Sequence, residues 1–152
     1  MISWGEFKLQ KPEWAEAGER IFKPASDAIG FLATVAKDGR PRMAPICPIF
    51  ALHRIYLSAA RHTVKYFDLV NDGRYVLHAF LGEGDEEFQF SGLARMVTSD
   101  DEKRDVHANI SFQFDPADAI CELPMNRALW AYWIDPGQPG TKVVKQVWQL
   151  DT

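Results

Sequence analysis

Cysteine is nearly missing from this chain of 152 residues: Cys47 and Cys121 stand far apart, with no C-x-x-C and no grouping with histidine at metal-ligand spacing. That excludes a disulfide scaffold and a thiolate metal centre, and two free, buried thiols are the expectation. Long apolar runs are missing too. Stretches such as "AIGFLATVA" stop well short of the roughly 20 residues that cross a bilayer, so no membrane partner is expected. The amino-terminal "MISWGEFKLQKPEW" lacks the apolar centre of a signal peptide, which places the expected protein in the cytoplasm. There is no excess of basic charge either. Lys and Arg number 17 against 21 Asp and Glu, the net charge is -4, and the cations are scattered, which argues against a general nucleic-acid binder. No repeat or low-complexity stretch divides the chain. Residues 1–152 read as one domain, long enough to bury about two thirds of the surface its unfolded form exposes.

What is present is mostly strand. "KPEWAEAGERIF" predicts a helix, with Pro12 near its start and Trp14, Ala17 and Ile21 on one side. The period then changes. "AIGFLATVAKDGRPRMAPICPIF" is two extended segments around Asp38-Gly39, a strong short hairpin signal, and "HRIYLSA" is a third strand. "RYVLHAFL" and "EEFQFSGLARMVTS" predict a second hairpin across "GEGD", with Gly92 where a strand bulges or bends. "SDDEKRDVHANI" is a charged surface helix, and "DAICEL", "RALWAYWID" and "KVVKQVWQL" close the chain as three more strands. About seven strands with few helices predict a mainly β, antiparallel barrel.

The stretch "SAARHTVKYFDLVNDG", Ser58 to Gly73, poses a problem of charge. Thr63 predicts an N-cap, Val64, Phe67 and Val70 recur at helical spacing, and Gly73 is a stop. Yet Arg61, His62 and Lys65 crowd the helix start, where the dipole is positive and N–H groups lack partners. A small anion, a phosphate monoester, would offset them: Arg61 and Lys65 neutralise its charge, and the Thr63 hydroxyl and helix amides donate. A merely solvated basic cluster is the competing reading.

The strand "GRPRMAPICPIF" carries three prolines, each of which removes a ladder donor, so it is at least partly unpaired. Alone, that describes an edge strand kept from aggregating. Beside the basic helix start it also leaves backbone groups at Ala44 and Pro45 free for a flat ligand lying edge-on.

The ordered set "FLATVAKDGRPRMAPI", "IYLSAARHTVKYFDLVNDGRYVLHAF" and "FSGLARMV" resembles the FMN-binding split-barrel proteins related to pyridoxamine 5'-phosphate oxidase, over about Ala28 to Val97 with weaker agreement to Trp148. The resemblance implies a split β-barrel of six to seven strands, a homodimer, and FMN in the groove between subunits. It implies that Arg42, Met43, Ala44 and Pro45 contact the flavin ring, and that Ser58, Ala59, Arg61, Thr63 and Lys65 hold the phosphate. Gln89, with Glu87 on the same strand, falls where such proteins reach the other subunit's flavin. Gln89 can donate to the ring, whereas an ionised Glu87 cannot. Both also fit a plain polar alternation.

Two departures turn the expected substrate away from vitamin B6 phosphates: Val64 stands where such oxidases carry the first of two basic residues, and "KVVKQVWQLDT" has no Arg-x-His. Similar small proteins use FMN, a deazaflavin or haem. His53, His62, His78 and His107 are scattered, with no paired nucleophile, so no catalytic residue is assigned. Trp130, Tyr132 and Trp133 stack on a ring from a partner subunit or belong to core and interface. The expected function is an FMN-dependent oxidoreductase acting on a small molecule. The alternative is a non-catalytic flavin, deazaflavin or haem carrier or sensor.

Overall fold

Alternation of apolar residues with period two organises the chain. A computed structural model describes residues 1–23 and 27–151. In β1 (Gly30–Val35), β5 (Arg74–Ala79) and β6 (Glu87–Leu93) every second side chain is buried, which places Leu32, Leu77 and Phe90 in one row facing the core. With β2 (Pro41–Ile46), β9 (Met125–Ile134) and β10 (Lys142–Gln149) these strands form an antiparallel sheet in the order β10-β9-β6-β5-β1-β2. A second antiparallel sheet runs β3-β4-β8-β7, from β3 (Ile49–Ala51), β4 (Arg54–Ala59), β7 (Arg95–Met96) and β8 (Ala119–Glu122). The mainly β, antiparallel class expected from the sequence is what the structure shows. Two of the expected strands each divide, at Cys47-Pro48 and at Ala94, and in each case the second piece joins the other sheet.

Helix α1 (Trp4–Gln10) is not anticipated by apolar periodicity. It forms because Ser3 and Glu6 make a reciprocal capping box, and it buries Trp4 and Phe7 in the core. The expected helix at Pro12 is α2 (Pro12–Phe22), with Ala17, Ile21 and Phe22 buried. Burying each such large side chain is worth roughly 1.5–3 kcal/mol. The Asp38-Gly39 hairpin forms with Gly39 at φ 84°, and the register slips between Ser91 and Gly92 as the expected bulge. Only glycine fits there: a Cβ on residue 92 would lie 2.1 Å from the Pro124 carbonyl oxygen.

Helix α3 (Val64–Asn71) corrects the sequence reading. Val64, Phe67 and Val70 do not face the core; they are 58%, 51% and 49% exposed, while Asp68 and Leu69 are buried. Period alone cannot say which face of so short a helix turns inward. Here the helix packs against β1 through Asp68, for a reason given below. Helix α4 (Asp100–His107) is capped by the Ser99 hydroxyl, as a charged surface helix should be.

Candidate functional site

The site begins at the sheet edge. β2 pairs with β1 alone, so its outer edge is open, as its prolines require. Arg42 and Ala44 sit opposite Thr34 and Leu32 and share their buried face, whereas Met43 and Pro45 point outward, Met43 being 71% exposed. The four expected ring contacts are therefore split between two faces of one strand.

At the end of β4 the chain turns into α3. The Ser58 hydroxyl donates to Asp118 (3.3 Å), and Ala59 is fully buried. Arg61 donates from Nε to the Ala117 carbonyl (3.2 Å) and from Nη1 to the Tyr66 hydroxyl (3.3 Å), so its partners are neutral. Thr63 has extended backbone angles at the N-cap position, but its hydroxyl donates to the Ala60 carbonyl (2.7 Å) and caps nothing. That corrects the expected capping role: the first amides of α3 have no side-chain acceptor. The first turn carries no acidic residue, and Lys65, half-buried, makes no ion pair among the described residues. The helix start is positive and uncompensated.

A residue that sequence reasoning missed joins the two halves. Asp68 is 3% exposed; its Oδ2 accepts from the Thr34 hydroxyl (2.8 Å) and lies 3.5 Å from Nε of Arg42. Arg42 thereby faces α3 across an ion-pair contact. Nothing local signals this, because Asp68 falls on the face that the apolar spacing assigns to solvent.

Gln89 stands apart. It lies three strands from Pro45 through Phe31 and His78, roughly 14 Å at the usual strand spacing. Beside it Glu87 engages His78 Nε2 (3.1 Å). The outward face that carries these residues is distinct from the α3 cluster of the same chain. A crevice of about 130 Å³, lined by Lys23, Asp27, Phe50 and Phe112, lies elsewhere on the chain.

Cys121 is not an activated nucleophile. Burial pushes the Cys121 thiol up to about 12, and its Sγ lies 3.3 Å from the Met96 sulfur. Cys47 is free but only half-buried, at the break between β2 and β3. Among the described residues no three His, Cys, Asp or Glu side chains group to hold a metal, and no helix is long and apolar enough to cross a membrane. Trp130 is tied to Glu86 through its Nε1 (2.8 Å) and stacks edge-on against Trp14, a structural role; Trp133 is exposed.

No protein-family model matches the chain, and no curated protein does. Solved structures do. A putative pyridoxamine 5'-phosphate oxidase from Listeria innocua aligns at 16% identity and a TM-score of 0.61, over 74% of this chain and 94% of that one. PhzG from Burkholderia lata 383, solved with tetrahydrophenazine-1-carboxylic acid, aligns at 13% identity and 0.60, over 93% and 91%. A heme binding protein from Mycobacterium smegmatis aligns at 16% identity and 0.58, over 84% of this chain and 55% of that one, so the chain spans about half of its length. At these identities the likeness is one of fold: the chain has the fold of pyridoxamine 5'-phosphate oxidase-like proteins, as its residues suggested.

Proposed function

We propose that the chain binds FMN and works as a flavin-dependent oxidoreductase on a small molecule in the cytoplasm. The observation that carries this reading is the cationic start of α3, where, among the described residues, the first amides have no side-chain acceptor, Lys65 has no carboxylate and Arg61 has neutral partners. A phosphate monoester supplies the missing negative charge and acceptors. Arg61, Lys65 and the α3 amides hold that phosphate, with Ser58, Ala59 and Thr63 shaping the turn. Arg42, Met43, Ala44 and Pro45 border the flavin ring along the open edge of β2.

The bound flavin supplies hydride and electron transfer, so the protein contributes orientation and electrostatics, and no acid-base triad is needed. The second wall of the site comes from another copy of the chain. The exposed Met43, Val64, Phe67 and Val70 favour such cover, and Gln89 then donates to the partner's cofactor. Sedimentation at micromolar concentration should give a dimer; a monomer that holds FMN tightly refutes this arrangement.

A haem carrier or sensor is the second reading, favoured by the Mycobacterium smegmatis neighbour that bears the name of a heme binding protein. The absorption spectrum of the purified protein separates the two, through flavin bands or a Soret band. Anaerobic mixing of fully loaded protein with NADH or NADPH tests catalysis. Bleaching of the flavin within seconds, with recovery on adding an acceptor, supports the enzyme. No bleaching with either nicotinamide or with a reduced deazaflavin favours the carrier or sensor.

A further inference from the structure

Helix α3 turns a carboxylate inward. Val64, Phe67 and Val70 point to solvent while Asp68, at 3% exposure, is buried beside Leu69. Stability alone would put an apolar residue at 68, because a buried ion pair rarely outperforms a well-packed apolar contact. The carboxylate faces two donors from separate strands, the Thr34 hydroxyl at 2.8 Å and Nε of Arg42 at 3.5 Å. The Arg42 side chain makes no hydrogen bond to any described residue, its shortest ion-pair distance is the 3.5 Å from Nε to Asp68, and 38% of the side chain is exposed at a sheet edge that no strand covers. The guanidinium thus faces a buried carboxylate on one side and solvent on the other.

We infer, resting on the FMN reading above, that Asp68 is a positioning residue: held by Thr34, its charge orients Arg42 so that the solvent-facing part of the guanidinium grips the cofactor. The fork of an arginine binds best when its plane is preset, since less rotamer freedom is lost on binding. Thr34 completes the device by holding the carboxylate oxygen that faces Arg42, so that Asp68 is itself fixed before the cofactor arrives.

The test is a double-mutant cycle on FMN affinity, read by flavin fluorescence, with Asp68→Asn, Arg42→Gln and the pair. Asp68→Asn should weaken FMN binding about tenfold in the wild-type background and less than about twofold when Arg42 is already Gln, within the coupling seen between residues in contact. Equal losses in both backgrounds would make Asp68 merely structural and overturn the inference. Should Asp68→Asn fail to fold, Thr34→Val removes only the hydroxyl and should produce a smaller loss that also disappears in the Arg42→Gln background. A second readout needs no cofactor. In the ligand-free protein the Arg42 Nε–H resonance should move in Asp68→Asn as the neighbouring charge is lost; an unchanged resonance refutes the contact. If the wild type binds no FMN, both the function proposed above and this role fall; if it binds FMN and the cycle shows no coupling, this role alone falls.

Discussion

Replacing Lys65 with Ala should stabilise the ligand-free protein while weakening its hold on FMN. Lys65 is the second residue of α3, within the turn where the helix dipole repels a cation. No carboxylate among the described residues lies within ion-pair distance to offset that repulsion. Relief of it is worth about 0.3–1 kcal/mol, and a domain of this size gains about 2–4 °C in Tm for each kcal/mol, so the expected rise is about 1–4 °C. In the complex the same ammonium makes a charge-assisted bond worth about 1.5–3 kcal/mol, and its loss should cost FMN roughly tenfold to a hundredfold in affinity. Riboflavin, which lacks the phosphate, should bind with nearly unchanged affinity. Thermal unfolding of the ligand-free protein at low ionic strength reads the first effect. It should shrink in high salt, where exposed charges are screened. A lower Tm together with unaltered FMN binding would mean that Lys65 serves the fold, and the reasoning would fail.

Four further outcomes follow from the packing. Glu86 receives a bidentate grip from Arg20 (2.6 and 3.0 Å) and a bond from Trp130 Nε1, so Glu86→Ala should destabilise by about 2–3 kcal/mol in urea titrations, with no loss refuting the network. The Arg20 bond holds the Glu86 carboxyl below the usual range, so its stabilisation is complete above the ordinary glutamate value of about 4.3 and is lost as the pH falls through the lower folded value; a stability profile flat across acid pH would contradict this. Gly92→Ala should cost about 3 kcal/mol or more, because its Cβ meets backbone rather than a yielding side chain, and a near-neutral Tm would show that the bulge relaxes. Cys121 should resist alkylation at neutral pH until the protein unfolds, whereas rapid labelling in the native state would disprove its burial.

Local chemistry made much of this architecture readable. Gly39 and Gly73 fix turn and stop through backbone freedom, and Gly92 admits the bulge because it has no Cβ; each is a property of the residue itself. The alternation in β1, β5 and β6 reports a half-buried strand wherever it occurs. What stayed hidden depended on contacts between distant segments. Asp68 lies inward because Thr34 and Arg42, far away in sequence, meet it there, and that reverses the expected face of α3. The Thr63 hydroxyl turns back to Ala60, a choice that residue type cannot reveal. Breaks at Cys47-Pro48 and Ala94 arise because one strand must serve two sheets. Of the candidate site, the cationic helix start was legible as misplaced charge, while the link from Arg42 to α3 was not.

The most direct measurement is a side-by-side equilibrium titration of the ligand-free wild-type protein with FMN and with riboflavin. If the start of α3 is a phosphate site, FMN should bind at least roughly tenfold tighter than riboflavin, with the advantage falling as salt is raised. Equal affinity for the two flavins, or no binding of either, would contradict it.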